Sequence, residues 1–127
     1  MNFNDFRSDS PKAGAIDQFI GKCLMSVTYM HSAHFATDSY SKHKAFEEFY
    51  TSMPGLIDSF TEINIGKTGA YKPVLVTLSE VEEVSYLRSI IADVESIYET
   101  VCSSQKNILD EIKGLCFTTI YKLTKLS

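Results

Sequence analysis

The chain has no tryptophan, only three prolines and only three cysteines. Cys23, Cys102 and Cys116 are an odd number without C-x-x-C spacing, which predicts reduced, buried thiols in a cytosolic protein. No stretch approaches the ~18 consecutive apolar residues of a membrane span, so no membrane partner is expected. The opening residues MNFNDFRSDSPK lack the apolar centre of a signal peptide, which again predicts a cytoplasmic location. Several catalytic patterns are also missing. There is no G-x-G-x-x-G, no P-loop and no H-E-x-x-H. No serine stands in a nucleophile-elbow context. The E-x-x-H pair of larger di-iron bundles is absent. A net charge of −4 and a pI near 5.3 argue against a nucleic-acid surface.

What remains is ordinary globular material: 127 residues, 44% hydrophobic and 22% charged, enough for one domain over 1–127. Residues 1–10 are polar and read as a loose arm. Ser10 before Pro11 reads as a helix start. Ile16, Ile20, Cys23, Val27, Met30 and His34 then recur at steps of four and three, which predicts a first helix over 11–36. Thr37-Asp38-Ser39 supplies a capping turn. A second helix follows over 39–65, with a seam of Phe46, Phe49, Tyr50, Met53, Ile57 and Phe60. Pro54-Gly55 lies inside it and predicts either a kink or a break capped by Ser52; the continuous apolar register favours the kink. Gly66 reads as its C-terminal stop.

Residues 66–78 hold two glycines and a proline and lack helical period. Their length suits a crossover along a bundle, with a short extended piece at 74–78. Ser79-Glu80-Val81-Glu82 matches a capping box, which predicts a third helix starting at Ser79 and unbroken over 79–102. Its seam is Val84, Leu87, Ile91, Val94, Tyr98 and Val101. A fourth helix over 104–124 carries Leu109, Ile112, Cys116, Ile120 and Leu123. Gly114 costs it about 1 kcal/mol against alanine. The expectation is an all-α four-helix bundle with a long connection between its second and third helices.

The chemistry concentrates in His31–Glu62, whose first thirteen residues hold all three histidines. His43/Glu47 and Asp58/Glu62 are each four apart, so each pair shares a helix face. With Phe46 at 0°, these four residues fall at ~60–160° around the second helix, a stripe beside the core seam. The stripe is either solvated or faced by a second copy. The two pairs are ~22 Å apart along the helix, too far to share one ion within a chain. Antiparallel packing of two copies brings the first pair of one to the second pair of the other. Imidazole nitrogen with carboxylate oxygen suits iron, manganese or zinc.

This stretch resembles the ferritin-like Dps family (DNA-binding protein from starved cells), whose iron sites follow H-x11-H-x3-D-x10-D-x3-E. His31, His43, Glu47, Asp58 and Glu62 fit, with Glu47 in place of the first Asp. It is also similar to small phage-encoded helical proteins with H-W-x-T-x-S-Y-x-x-H, then F-Y and I-D-x-F-x-E. In that alignment His34, followed by Phe35 in place of Trp, is the motif histidine, and Phe49-Tyr50 and Ile57 to Glu62 supply the rest. His31 and His34 are thus alternative first ligands. The resemblance implies a ferritin-like fold and an iron (Fe2+/Fe3+) site shared across a homodimer or larger homo-oligomer, with Fe(II) oxidation as its activity. For a phage-encoded chain it implies the host cytoplasm. The alternative is a non-enzymatic phage accessory protein that keeps the bundle and binds a host protein or a small anionic ligand. Lys67, Tyr71 and Lys72 in the crossover form the basic-aromatic patch for such an anion.

Overall fold

A computed structural model describes residues 14–74 and 81–126. Four α-helices are present among them: α1 Ala15–Ala36, α2 Tyr40–Thr68, α3 Glu83–Ile97 and α4 Ser103–Lys125. One 3-10 turn, Tyr98–Thr100, follows α3. The expected seams form the core. Phe19, Ile20, Cys23 and Met30 of α1 meet Phe46, Phe49, Met53, Ile57 and Phe60 of α2. Leu87, Ile90, Val94 and Ile97 of α3 and Leu109, Ile112 and Cys116 of α4 complete it. Phe19 and Phe60 meet edge to face, with ring centroids 5.5 Å apart.

The sense of each helix follows from what its ends touch. Lys22 of α1 pairs with Asp93 of α3 at 2.8 Å. Toward the other end of α1, Tyr29 stacks on Tyr86 and its hydroxyl donates to the Val81 carbonyl. The two helices are therefore antiparallel. Lys122, late in α4, pairs with Glu48, early in α2. Gln105, early in α4, donates to Asn64, late in α2, at 3.2 Å. These two are antiparallel as well. The bundle thus runs up, down, down, up, and α2 and α3 point the same way. The connection between them must travel the length of α3, about 22 Å for 15 residues. Residues 69–82 have ample reach for that distance at about 3.3 Å per residue.

Several boundaries differ from those expected. The Ser10-Pro11 start lies outside the described residues, and α1 is helical from Ala15. α2 passes through Pro54 unbroken, without a new start at Ser52, and ends three residues later than expected. Gly66 is not its stop. Gly69 is: its φ of +86° is the left-handed conformation that suits glycine, and its N–H donates to the Ile65 carbonyl at 2.7 Å. The extended piece expected at 74–78 falls, after Val74, outside the described residues.

The capping box at Ser79 does not start α3. Val81 and Glu82 are not helical, and the helix begins at Glu83. Tyr29 holds the Val81 carbonyl, which a helix running through Val81 would need for its own ladder. Glu82 caps instead, its carboxylate accepting from the N–H groups of Val84 at 2.9 Å and Ser85 at 3.1 Å. Nor does α3 reach 102. The Thr100 hydroxyl donates to the Ile97 carbonyl at 2.6 Å, and Val101 is extended. Cys102 then caps α4.

Among the described residues the cysteines are unbridged, as expected, but only two are buried. Burial raises the Cys23 thiol well above its usual value and pushes Cys116 up to about 12, so both stay protonated and inert. Cys102 is half-buried, and its bond from the Gln105 N–H lowers its thiol.

The N–H of Val84, then that of Ser85, holds the Glu82 carboxyl below its usual value. The cap is therefore present above the unfolded carboxylate value near 4.3 and is lost as pH falls through the lower folded one. Glu82→Ala is expected to destabilise the fold by about 1 kcal/mol at pH 7, roughly 4 °C in Tm. Thermal melts at pH 7 and pH 3 check this. A gap between the two proteins that is as wide at pH 3 as at pH 7 would count against the cap.

Candidate functional site: a histidine clasp beside an acidic stripe

The turn Thr37-Asp38-Ser39 is only three residues long. The Ser39 hydroxyl caps α2 by accepting from Lys42 N–H, and Thr37 N–H closes α1 on the Ala33 carbonyl. In so tight an antiparallel hairpin, residues about one helical turn before and after the link come face to face, as do His34, three residues before Thr37, and His43, four after Ser39. His34 Nδ1 donates to the His43 carbonyl at 2.8 Å, and His43 Nδ1 donates to the His34 carbonyl at 2.9 Å. Their rings stack with centroids 3.5 Å apart. A carbonyl only accepts, so each Nδ1 carries a proton, and Nε2 is the nitrogen that the clasp leaves unused.

His34 is 6% exposed and His43 half-buried. His31, the other alternative, is exposed and does not join the clasp. It stacks on Tyr50 at 4.0 Å and on Phe35 at 4.9 Å. The structure therefore places His34, not His31, beside His43. The signal was available in the sequence as near-equal distance from the turn, three residues before Thr37 and four after Ser39.

Glu47 lies one turn beyond His43 and is paired with Lys44 at 2.9 Å. That ammonium holds its carboxyl below the usual range, and His34 and His43 act in the same direction. Asp58 and Glu62 are exposed further along α2. No group of three His, Cys, Asp or Glu among the described residues is close enough to hold an ion. One chain thus brings His34, His43 and Glu47 into one neighbourhood and leaves Asp58 and Glu62 apart from them.

The basic-aromatic patch is arranged differently from its sequence expectation. Lys67 Nζ donates to Gln105 Oε1 at 2.8 Å, and Tyr71 packs against the core. Lys72 lines an open cleft with Asn64 and Thr68. Sequence reasoning did not identify the fully buried Gln105, whose amide joins Asn64, Lys67 and the Cys102 N–H. Its one signal is its place on the α4 seam, four residues before Leu109.

Fold and site together define a small all-helical bundle whose first hairpin is closed by paired histidines. A model of a family of unknown function, DUF5856, matches residues 34–123, and the chain belongs to that family. The match begins at the clasp histidine. The chain is 32% identical over 127 residues, 98% of each chain, to an uncharacterized 14.6 kDa protein of the mobD-ri intergenic region of Enterobacteria phage T4. It is thus a small phage-type helical protein. No solved structure matches it. No helix among the described residues is long and apolar enough to cross a membrane.

His34→Ala removes a buried ring, its stacking on His43 and one of the two bonds that tie α1 to α2. It is expected to cost about 2–3 kcal/mol, against less than about 1 kcal/mol for the exposed His31→Ala. Urea midpoints of the two variants check this; equal shifts would mean that the clasp does not hold the hairpin.

Proposed function

We propose that the protein is a ferritin-like, Dps-like bundle that binds a transition-metal ion, iron first and manganese or zinc in its absence, between two copies of the chain. His34, His43 and Glu47 of one copy and Asp58 and Glu62 of the other would hold it. The observation that carries this is the clasp. Histidines that bind metal usually give their second nitrogen's proton to a carbonyl or carboxylate, which fixes the ring and frees the other nitrogen. Both His34 and His43 do so. The donor set fits: two imidazoles and three carboxylates are hard and borderline ligands. The up-down-down-up order with its lengthwise connection is also that of ferritin-like bundles with one crossover.

Bound iron would supply Fe(II) oxidation as its chemistry. This chain's part is to orient two imidazoles through their Nδ1 protons and to present carboxylates on a rigid helix. Glu47 has to release Lys44, a modest demand because an exposed ion pair contributes only about 0.2–1 kcal/mol.

A second reading rests on Phe35, which is 76% exposed beside the ring column of His31 and Tyr50. An accessory protein that docks a host protein would place an aromatic anchor in this way.

Melting curves with and without anaerobic Fe(II) separate the two readings. At free Fe(II) one hundred times the Kd, the natural protein is expected to gain about 2.7 kcal/mol. The double variant Asp58→Ala/Glu62→Ala is expected to fold normally, both residues being exposed, and to gain nothing. If the natural protein fails to shift with Fe(II), Mn(II) and Zn(II), the metal reading is wrong and docking at Phe35 takes its place. Equal shifts in both proteins would put the metal elsewhere.

A further inference from the structure

α1 begins and α2 ends at the end of the bundle away from the clasp, with Ile16 roughly 27 Å along α1 from His34. A cleft of about 530 Å3 opens there, with Gly14, Ile16, Asp17, Asn64, Ala70 and Lys72 in its wall. That volume is in the range of about 300–1,000 Å3 usual for small-molecule sites. Asn64, 6% exposed, belongs to a chain of amides whose sense is set by one cation. An ammonium only donates, so Lys67 turns Gln105 Oε1 toward itself, at 2.8 Å. Gln105 Nε2 then faces Asn64 and donates to its Oδ1 at 3.2 Å. This leaves the Asn64 NH2 on the other side. It donates to no described residue, and no fully buried side-chain nitrogen among them lacks a partner. The NH2 is therefore open to the cleft that Asn64 lines. Each link polarises the next, which makes Asn64 Nδ2 a stronger donor than an isolated amide.

We infer that this cleft binds a free α-amino acid with an apolar side chain. The site shares no residue with the proposed metal site and does not rest on it. The ligand's carboxylate takes the Asn64 NH2 and the first-turn N–H groups of α1. Gly14 caps that helix without a side-chain hydrogen bond, and first-turn N–H groups have no ladder partner and favour an anion. The Lys72 ammonium adds positive charge from the wall. Asp17 argues against a simple anion, because its carboxylate belongs to the same first turn. It supplies what a zwitterion needs, an acceptor for the ligand's ammonium. Among the described residues the wall thus carries one cationic and one anionic side chain, which matches a ligand of no net charge. The rest of the wall suits an apolar body. Ala15, Ile16 and Ala70 are apolar, and the hydroxyls of Thr68 and Thr100 are already given to the Asn64 and Ile97 carbonyls.

Titration calorimetry at pH 7 tests the site, with EDTA present so that no metal contributes. The probes are L-leucine, L-methionine and L-phenylalanine. At least one is expected to bind one molecule per chain with a Kd below about 1 mM. Asn64→Asp replaces the NH2 by an oxygen and keeps Oδ1 for Gln105. It is expected to leave the helical circular dichroism unchanged and to weaken binding more than about 10-fold. Asp17→Asn, in the half-buried first turn, is expected to weaken it by a similar factor and carries the test alone if Asn64→Asp unfolds. Phe117→Ser, exposed on α4, is expected to bind as the natural protein does. 3-Phenylpropionate lacks the ammonium and 2-phenylethylamine the carboxylate, and both are expected to bind at least about 10-fold more weakly than L-phenylalanine. Failure of all three amino acids to bind overturns the proposal. So does undiminished binding by Asp17→Asn or by a folded Asn64→Asp, and so does either analogue binding as tightly as the amino acid.

Discussion

Two backbone carbonyls and two imidazole protons close the first hairpin. The carbonyls of His34 and His43 lie near a helix end and a helix start, where backbone ladders meet side chains and solvent. Each ring gives its Nδ1 proton to the other's backbone, so neither helix can slide without breaking both bonds. That constraint fixes the register of α1 against α2. The register then sets Phe19 against Phe60 at the far end and Tyr50 beneath His31 at the near end. The histidine clasp and the ring column of His31, Phe35 and Tyr50 both inherit their geometry from this hairpin.

Polar groups also fix the remaining helix contacts. Gln105 is fully buried, yet its amide serves Asn64, Lys67 and Cys102 across the α2–α4 contact. Tyr29 and Tyr86 do comparable work between α1 and α3, Tyr29 donating to the Val81 carbonyl just before α3 and Tyr86 to the Lys22 carbonyl of α1. No buried side-chain nitrogen or oxygen among the described residues lacks a partner. Apolar burial supplies most of the driving force in such a core but is indifferent to small slips of one helix past another. These bonds are directional, and they select one arrangement.

The helices and their seams were legible in the sequence because a 3.6-residue period imprints burial directly on composition. Ile20, Cys23 and Met30, and likewise Leu109, Ile112 and Cys116, are buried as the spacing required. The ends were less legible. Ser79 has the better capping pattern, but Tyr29, fifty residues away, claims the Val81 carbonyl and moves the start of α3 to Glu83. Gly66 and Gly69 look alike in sequence; only the helix's last hydrogen bond, onto Ile65, decides between them. At the site, the spacing patterns left His31 and His34 as alternatives. A turn of three residues settles the geometry, since it sets His34, about one helical turn before it, beside His43, about one turn after it. The buried role of Gln105 depends on Asn64 and Lys67, which meet it only in three dimensions.

The lengthwise connection divides the molecule kinetically. α1–α2 and α3–α4 are hairpins of neighbouring helices, joined by three-residue and roughly five-residue links, and their contacts are local in sequence. Local contacts form fast, whereas those linking the two hairpins wait for the longer closure. Closure entropy rises only logarithmically, about 0.6 kcal/mol per doubling of a loop. The connection between α2 and α3 is thus where the chain can lengthen with least effect on either hairpin, provided that Gly69, Tyr71, Val81 and Glu82 keep the contacts that end α2 and start α3, leaving such insertions nearly uncoupled from the clasp at the α1–α2 turn.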